Sequence, residues 1–193
     1  MNIKTNLPYP SDNYVELLKD FYADINGKES FDQVKEWQFE KWSATVHCTR
    51  GKILEKGGFA RVNLLGGLVN KRPADISLFQ TLAYPANPRV PGLIIMANMN
   101  ASEAMGSILT FLRKRMCLYL MTLLKLSCQY IKSIIAMKAS EIPQDEDFEY
   151  RNKSRARLIE WIILEDYGTR VARENGVLSE AIEAYGFPPV IQY

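Results

Sequence analysis

Gly51–Gly67 reads GKILEKGGFARVNLLGG. Two stretches of period-two character, KILEK and FARVNLL, flank a Gly-Gly pair, and a second Gly-Gly closes the segment. Alternation of this kind marks half-buried strands. The first glycine pair has two readings. Gly57 and Gly58 form a bend between two strands, or they let the backbone approach a ligand, because glycine has no Cβ in the way. The expectation is the bend, with Lys52–Lys56 and Phe59–Leu65 as separate strands.

The pattern continues on both sides. SATVHCT (Ser43–Thr49), SLFQTLAY (Ser77–Tyr84) and GLIIMAN (Gly92–Asn98) read as strands, separated by Arg-Gly, Lys-Arg-Pro and YPANPRVPG turn signals. Connections this short favour antiparallel neighbours. Upstream, Ser11–Tyr22 has helical spacing with Ser11 as its cap, and Phe31–Phe39 reads as a short helix or turn. Downstream, Ser102–Lys138 is a long helix with two apolar stripes. One runs from Met105 through Leu112, Tyr119 and Leu126 to Met137, and the other through Leu120, Leu124, Cys128, Ile131 and Ile135. One sheet covers one stripe, so the stripe with Leu120, Leu124, Ile131 and Ile135 is expected to be exposed and to pair in a homodimer. Ser140–Arg155 reads as a polar connector, Arg157–Leu164 as a strand, EDYGT as a turn and Leu178–Tyr185 as a closing helix. The whole, residues 1–193, is predicted to be a single α+β domain, a mainly antiparallel sheet flanked by helices.

Composition narrows the chemistry. The formal net charge is +2, with basic residues dispersed, so nucleic acid is not an expected partner. Three cysteines without C-x-x-C spacing argue against a disulfide framework or zinc site and for a reducing compartment. The polar N-terminus has no signal-peptide character, and MCLYLMTLL is too short to span a bilayer. The chain reads as soluble and cytoplasmic, with no membrane partner. Its one histidine, His47, lies in an alternating strand, so neither a catalytic triad nor a metal site is expected. Arg61 and Asn63 share one face of their strand, and Arg61 needs a partner there, either a ligand or, as expected, a structural carboxylate such as Glu55 or Glu160.

Three collinear blocks give a resemblance. WSATVHCTRGKILEKGGFARVNLLGG, LAYPANPRVP and RARLIEWIILEDYGT, the last followed by NGVLSEAIEAYGFPP, resemble motifs of the oxygen-dependent (aerobic) coproporphyrinogen III oxidases. The resembled motifs are E-K-[AG]-G-V-N, H-P-x-N-P-x-V-P, R-G-R-Y-x-E-F-N-L-x-x-D-R-G-T and G-G-R. Relative to them, Ala60 stands for Asn, Tyr84 and Met96 for His, and Asn100, Tyr167 and Val177 for Arg. Family members are longer, with a middle section that has no counterpart between Asn98 and Ser102. The resemblance implies an oxidase-like sheet core and oxidation by O₂ with neither metal nor organic cofactor, oxygen being the co-substrate. The matching positions give Gln80, Tyr84, Asn98, Asn100, Asn175 and Gly176 as substrate-binding candidates. Propionate-holding arginines are replaced, so the implied substrate is a small, non-porphyrin aromatic or heterocyclic metabolite undergoing oxidative decarboxylation or desaturation. The alternative is a binding or structural protein that keeps the sheet without the chemistry.

Overall fold

The computed structural model describes residues 12–27, 31, 33–69, 71–101, 108–181 and 188. Helix α1 (Asp12–Asn26) precedes strands β1 (Gln33–Gln38), β2 (Trp42–Thr49), β3 (Leu54–Val69), β4 (Arg72–Pro85) and β5 (Leu93–Ala101). Helices α2 (Ile108–Lys138), α3 (Asp145–Leu164) and α4 (Tyr167–Glu174) follow. The strands form one antiparallel meander in the order β1-β2-β3-β4-β5. The chain is therefore of the α+β class.

Alternation along β3 sets the layers, since successive side chains leave opposite faces. Ala60, Val62 and Leu64 join Ala44 and Val46 of β2 and Ile76 and Leu78 of β4, and on them pack Val171 and Ala172 of α4. Phe59 of β3 and Phe79 of β4 face the other way, onto Tyr14, Leu18 and Tyr22 of α1 and Leu124, Cys128 and Ile131 of α2. Each large apolar side chain fully buried in these layers contributes roughly 1.5–3 kcal/mol.

The glycine pair is not a bend between two strands. β3 runs unbroken through Gly57 and Gly58, which pair with Thr49 and Cys48 on one side and Ala83 and Leu82 on the other. A Cβ on Gly57 would stand 2.6 Å from the Tyr22 ring, and one on Gly58 2.0 Å from the His47 carbonyl oxygen. The close approach is real, but it admits a side chain of α1. The Tyr22 hydroxyl donates to the Leu82 carbonyl at 2.6 Å and lies 2.8 Å from Thr81 Oγ1, which donates to the Gly58 carbonyl at 3.0 Å. Burial pushes the Tyr22 phenol pKa far above its ordinary value, so it remains a donor.

Other expectations are corrected. Phe31–Phe39 is not a helix or turn, because residues 33–38 form β1 and its backbone is satisfied by pairing with β2. The charges of Lys35 and Glu36 suit this exposed edge strand and obscure its alternation. Arg72 and Pro73 belong to β4, and the turn before them falls at Lys71, with φ of 64°. The polar connector and the predicted strand Arg157–Leu164 are one helix, α3, opened by a capping box between Gln144 and Asp147. Its buried positions Asn152, Arg155, Ile159 and Ile162 recur three and four apart, the helical period. EDYGT is the entry to α4, where Asp166 caps the Thr169 amide at 2.5 Å. Of the predicted closing helix, residues 179–181 are helical, Leu178 precedes them outside the helix, and residues 182–185 lie outside the described residues, as do Ser11 and residues 102–107.

The two stripes of α2 exchange roles. Leu124, Cys128 and Ile131 are buried against α1 and the sheet, with Leu120 and Ile135 packed beside them. The exposed side carries Tyr119, Leu123, Leu126, Tyr130 and Met137. The tyrosines suit that side because their hydroxyls stay in water. Lys132 ties α2 to α1 by an ion pair with Asp24.

Tyr22→Phe keeps the ring but removes the hydroxyl from three buried oxygens. It should lower unfolding stability by about 1–3 kcal/mol in urea titration without changing the slope.

Candidate functional site

At its end β4 runs into Tyr84 and Pro85, then into the loop 86–92, where Pro88 and Pro91 limit the backbone further. Asn87 fixes the loop. Its Oδ1 accepts from the Arg89 amide at 2.9 Å, and its Nδ2 donates to the Lys138 carbonyl at 3.1 Å, at the end of α2. Arg89 reaches on to α3 through Asp147 at 2.8 Å. The Gln144 amide and then Arg89 hold the Asp147 carboxyl below its usual range. The NPRVP segment is thus a bracket between the sheet and the α2–α3 junction.

Between this bracket and α3 lies a cleft of about 410 Å³. One wall is Tyr84, Pro85, Pro88, Val90, Pro91 and Ile94; the other is Tyr150, Arg151, Ser154, Arg155 and Leu158 of α3. A concavity of this size, apolar with a few convergent polar groups, suits a small organic molecule.

The polar groups converge on Glu55. Arg155 Nη1 donates to Glu55 Oε2 at 2.5 Å, and Arg151 Nη1 to Glu55 Oε1 at 3.1 Å. Arg155 also donates to the Pro85 carbonyl at 3.1 Å, and its guanidinium carbon stands 5.5 Å from the Tyr84 ring centre. Arg151 donates to the Ala86 carbonyl at 2.9 Å and to Asn152 Oδ1 at 3.2 Å. Arg155 is 5% exposed. Two guanidiniums against one carboxylate leave a positive charge in the cleft. A guanidinium has five N–H donors, and the bonds of Arg155 to Glu55 and Pro85 leave others for a ligand. Burial, offset in part by Arg155, pushes the Tyr84 phenol pKa far up, so it meets a ligand as a neutral hydroxyl. Lys56 lies directly across from Tyr84 in the strand register, and burial brings its pKa down to about 8.

Of the residues predicted as substrate-binding, Tyr84 lines the cleft. Gln80 lies on the same strand but lines a separate cavity of about 20 Å³, the size of one water, with Asp166 and Thr169 of the α4 start. Gln80 Nε2 is buried there without a hydrogen-bond partner. Asn98 and Asn100 stand on β5 opposite Leu78 and Ile76, and their side chains lie outside the described residues. Asn175 and Gly176 sit at the other end of the sheet. Asn175 Oδ1 accepts from the Leu68 amide at 2.7 Å and its Nδ2 donates to the Val171 carbonyl at 2.8 Å, which locks the end of α4 to β3. Gly176, with φ of 79°, turns the chain away. The structure therefore does not gather these six residues into one site. Trp161 of α3 is 46% exposed and does not line the cleft.

Glu55 pairs with Arg151 and Arg155, not with Arg61 as expected, and Glu160 is exposed on α3. His47 stacks on Phe59 with ring centres 4.4 Å apart and meets the edge of Phe31, a packed role. Burial and then Lys19 lower its pKa. Among the described residues no three His, Cys, Asp or Glu side chains are grouped to hold a metal ion. Arg151 and Arg155 are the cleft residues that sequence reading missed. Their i, i+4 spacing puts both on one helix face, a signal hidden while this stretch was read as a connector.

The chain matches no family model and no curated protein. The likeness to the aerobic oxidases rests on the three sequence blocks.

Two substitutions test the site's electrostatics. Arg155→Met leaves Glu55 with one cation and should cost roughly 3 kcal/mol in denaturant unfolding, the scale for breaking a buried pair. Gln80→Met removes a buried donor without a partner and should raise stability by about 1 kcal/mol in the same assay.

Proposed function

We propose that the protein binds a small aromatic or heterocyclic carboxylic acid in the cleft beside α3 and oxidises it with O₂, using neither metal nor organic cofactor. The observation that carries this reading is convergence. Residues between Tyr84 and Pro91 of the second oxidase-like block and Arg155 and Leu158 of the third line one cleft, and Glu55 of the first block pairs with Arg155 behind it. Tyr84 occupies the position of a family histidine. Arginine suits the carboxylate through its planar donor fork, and the prolines, Val90, Ile94 and Leu158 suit an apolar ring. For a propionate side chain the balanced reaction is R–CH₂–CH₂–COO⁻ + O₂ + H⁺ → R–CH=CH₂ + CO₂ + H₂O₂. The carbon–carboxylate bond breaks and its electron pair forms the double bond. The C–H bond at the ring-side carbon breaks, its proton and electron pair pass to oxygen, and solvent supplies the second proton. The protein's share is orientation and exclusion of water. The buried thiols of Cys48 and Cys128, neither in a disulfide and the latter raised by burial to about 11, suit a reducing compartment such as the cytoplasm.

One observation favours binding without turnover. Tyr84, Arg151 and Arg155 are all donors at neutral pH, so they recognise an anion without taking a proton from it.

Calorimetry and oxygen uptake with 3-phenylpropionate, indole-3-propionate and pyrrole carboxylates, against the matching amides, separate the readings. The acids should bind and the amides should not. Ser154→Glu places a carboxylate on the exposed rim of the cleft, and should weaken acid binding at least tenfold while changing stability by no more than about 0.5 kcal/mol. Oxygen uptake matched by peroxide supports the oxidase, and binding without uptake supports the second reading. Equal affinity for acids and amides removes the assigned role of the arginines.

A further inference from the structure

The outward face of α2 has an order of its own. Tyr119, Leu123, Leu126, Tyr130 and Met137 are 71%, 52%, 59%, 65% and 68% exposed. With Ser133 they alternate in steps of four and three residues, and in the sequence Leu109, Leu112 and Met116 continue the same steps toward the helix start. This is the a/d spacing of a coiled coil, sustained over four heptads. It is distinct from the stripe of Leu124, Cys128 and Ile131 that packs on α1 and the sheet. Five large side chains this exposed leave roughly 500 Å² of mainly apolar surface, at the upper end of what monomers carry. With the flanking positions included, a paired helix approaches the roughly 800 Å² per partner of a stable interface.

We propose that this face is the seam of an antiparallel two-helix coiled coil with α2 of a second copy of the chain. The seam is self-complementary. A register that sets Leu123 against the partner's Leu126 also sets Tyr119 against the partner's Tyr130, so leucines meet at the two-fold axis and tyrosines on either side. The positions flanking the described seam are Leu120, Thr122, Ser127, Gln129, Ile134 and Ala136, which are uncharged and so carry no code for a foreign acidic or basic helix. Orientation follows from charge. Arg113, Lys114 and Arg115 would lie beside their own copies in a parallel pair. In the antiparallel pair that turn lies beside the partner's uncharged 134–136 stretch.

The stretch Tyr119–Lys138 is also long enough to cross a bilayer, with a mean hydropathy of 1.2. Its inner face is already buried on α1 and β5, and Lys125 and Lys132 interrupt it, so a helix partner fits better than lipid on all sides. The pairing leaves the cleft beside α3 open, since α2 and α4 cover opposite faces of the sheet.

Sedimentation equilibrium at micromolar concentration should give twice the 22.1 kDa chain mass. The double variant Leu123→Glu, Leu126→Glu should sediment as a monomer with unchanged far-ultraviolet circular dichroism, because both residues are exposed in the single chain. A nitroxide spin label at Ala136 should lie roughly 35 Å from its copy, against about 10 Å in a parallel pair. A monomeric unmutated chain, a dimer that survives both glutamates, or the short label distance overturns the proposal. So does a monomer that pellets with phosphatidylcholine–phosphatidylserine vesicles, which would assign the face to a lipid surface.

Discussion

Glu55 is held between two guanidiniums, and the placement of α3 depends on it. Its carboxylate stands at the start of β3, Arg151 and Arg155 stand one helical turn apart on α3, and the same arginines reach the Ala86 and Pro85 carbonyls where β4 ends. Three segments far apart in sequence are thereby fixed around one charge. A buried ion pair of this kind adds little net stability against an apolar replacement, because desolvation offsets the attraction. Its effect is placement: it sets the distance between α3 and the proline loop, and that distance is the cleft. The uncompensated positive charge is the feature on which the proposed anion site rests.

On the opposite face the corresponding constraint is Tyr22. Its ring lies over Gly57, and its hydroxyl joins the polar cluster of Thr81, Leu82 and Gly58. No other residue type at Gly57 leaves room for that ring. The Gly57–Gly58 pair thus serves the helix–sheet interface, while Glu55, two residues before it on the same strand, holds the two arginines of the cleft.

The strands β2, β4 and β5 were legible because alternation and turn residues are local signals, and β3 covers what the pattern reads as two strands. β1 was hidden because its charges belong to an edge. α3 was hidden because Ile159, Ile162 and Ile163 have strand propensity and the preceding polar stretch shows little apolar period; burial on α4 and the sheet end overrides both. The continuity of β3 through Gly57 and Gly58 needed a partner 36 residues away, which no window of sequence contains. Tyr84 was legible as a candidate through its place in the second block, and it lines the cleft. Arg151 and Arg155 were not, because their role exists only once α3 is a helix. The two stripes of α2 were both visible, and their assignment to inside and outside required α1.

The account rests on the cleft being an anion site made by the Glu55–Arg151–Arg155 arrangement. A crystal structure of the protein grown with 3-phenylpropionate tests this most directly. The ligand's carboxylate should lie within hydrogen-bond distance of Arg155, its ring against Pro88 and Ile94, with Glu55 still bridging both arginines. A ligand bound elsewhere while the cleft stays closed, or Glu55 paired with Arg61 and α3 moved away, would contradict it.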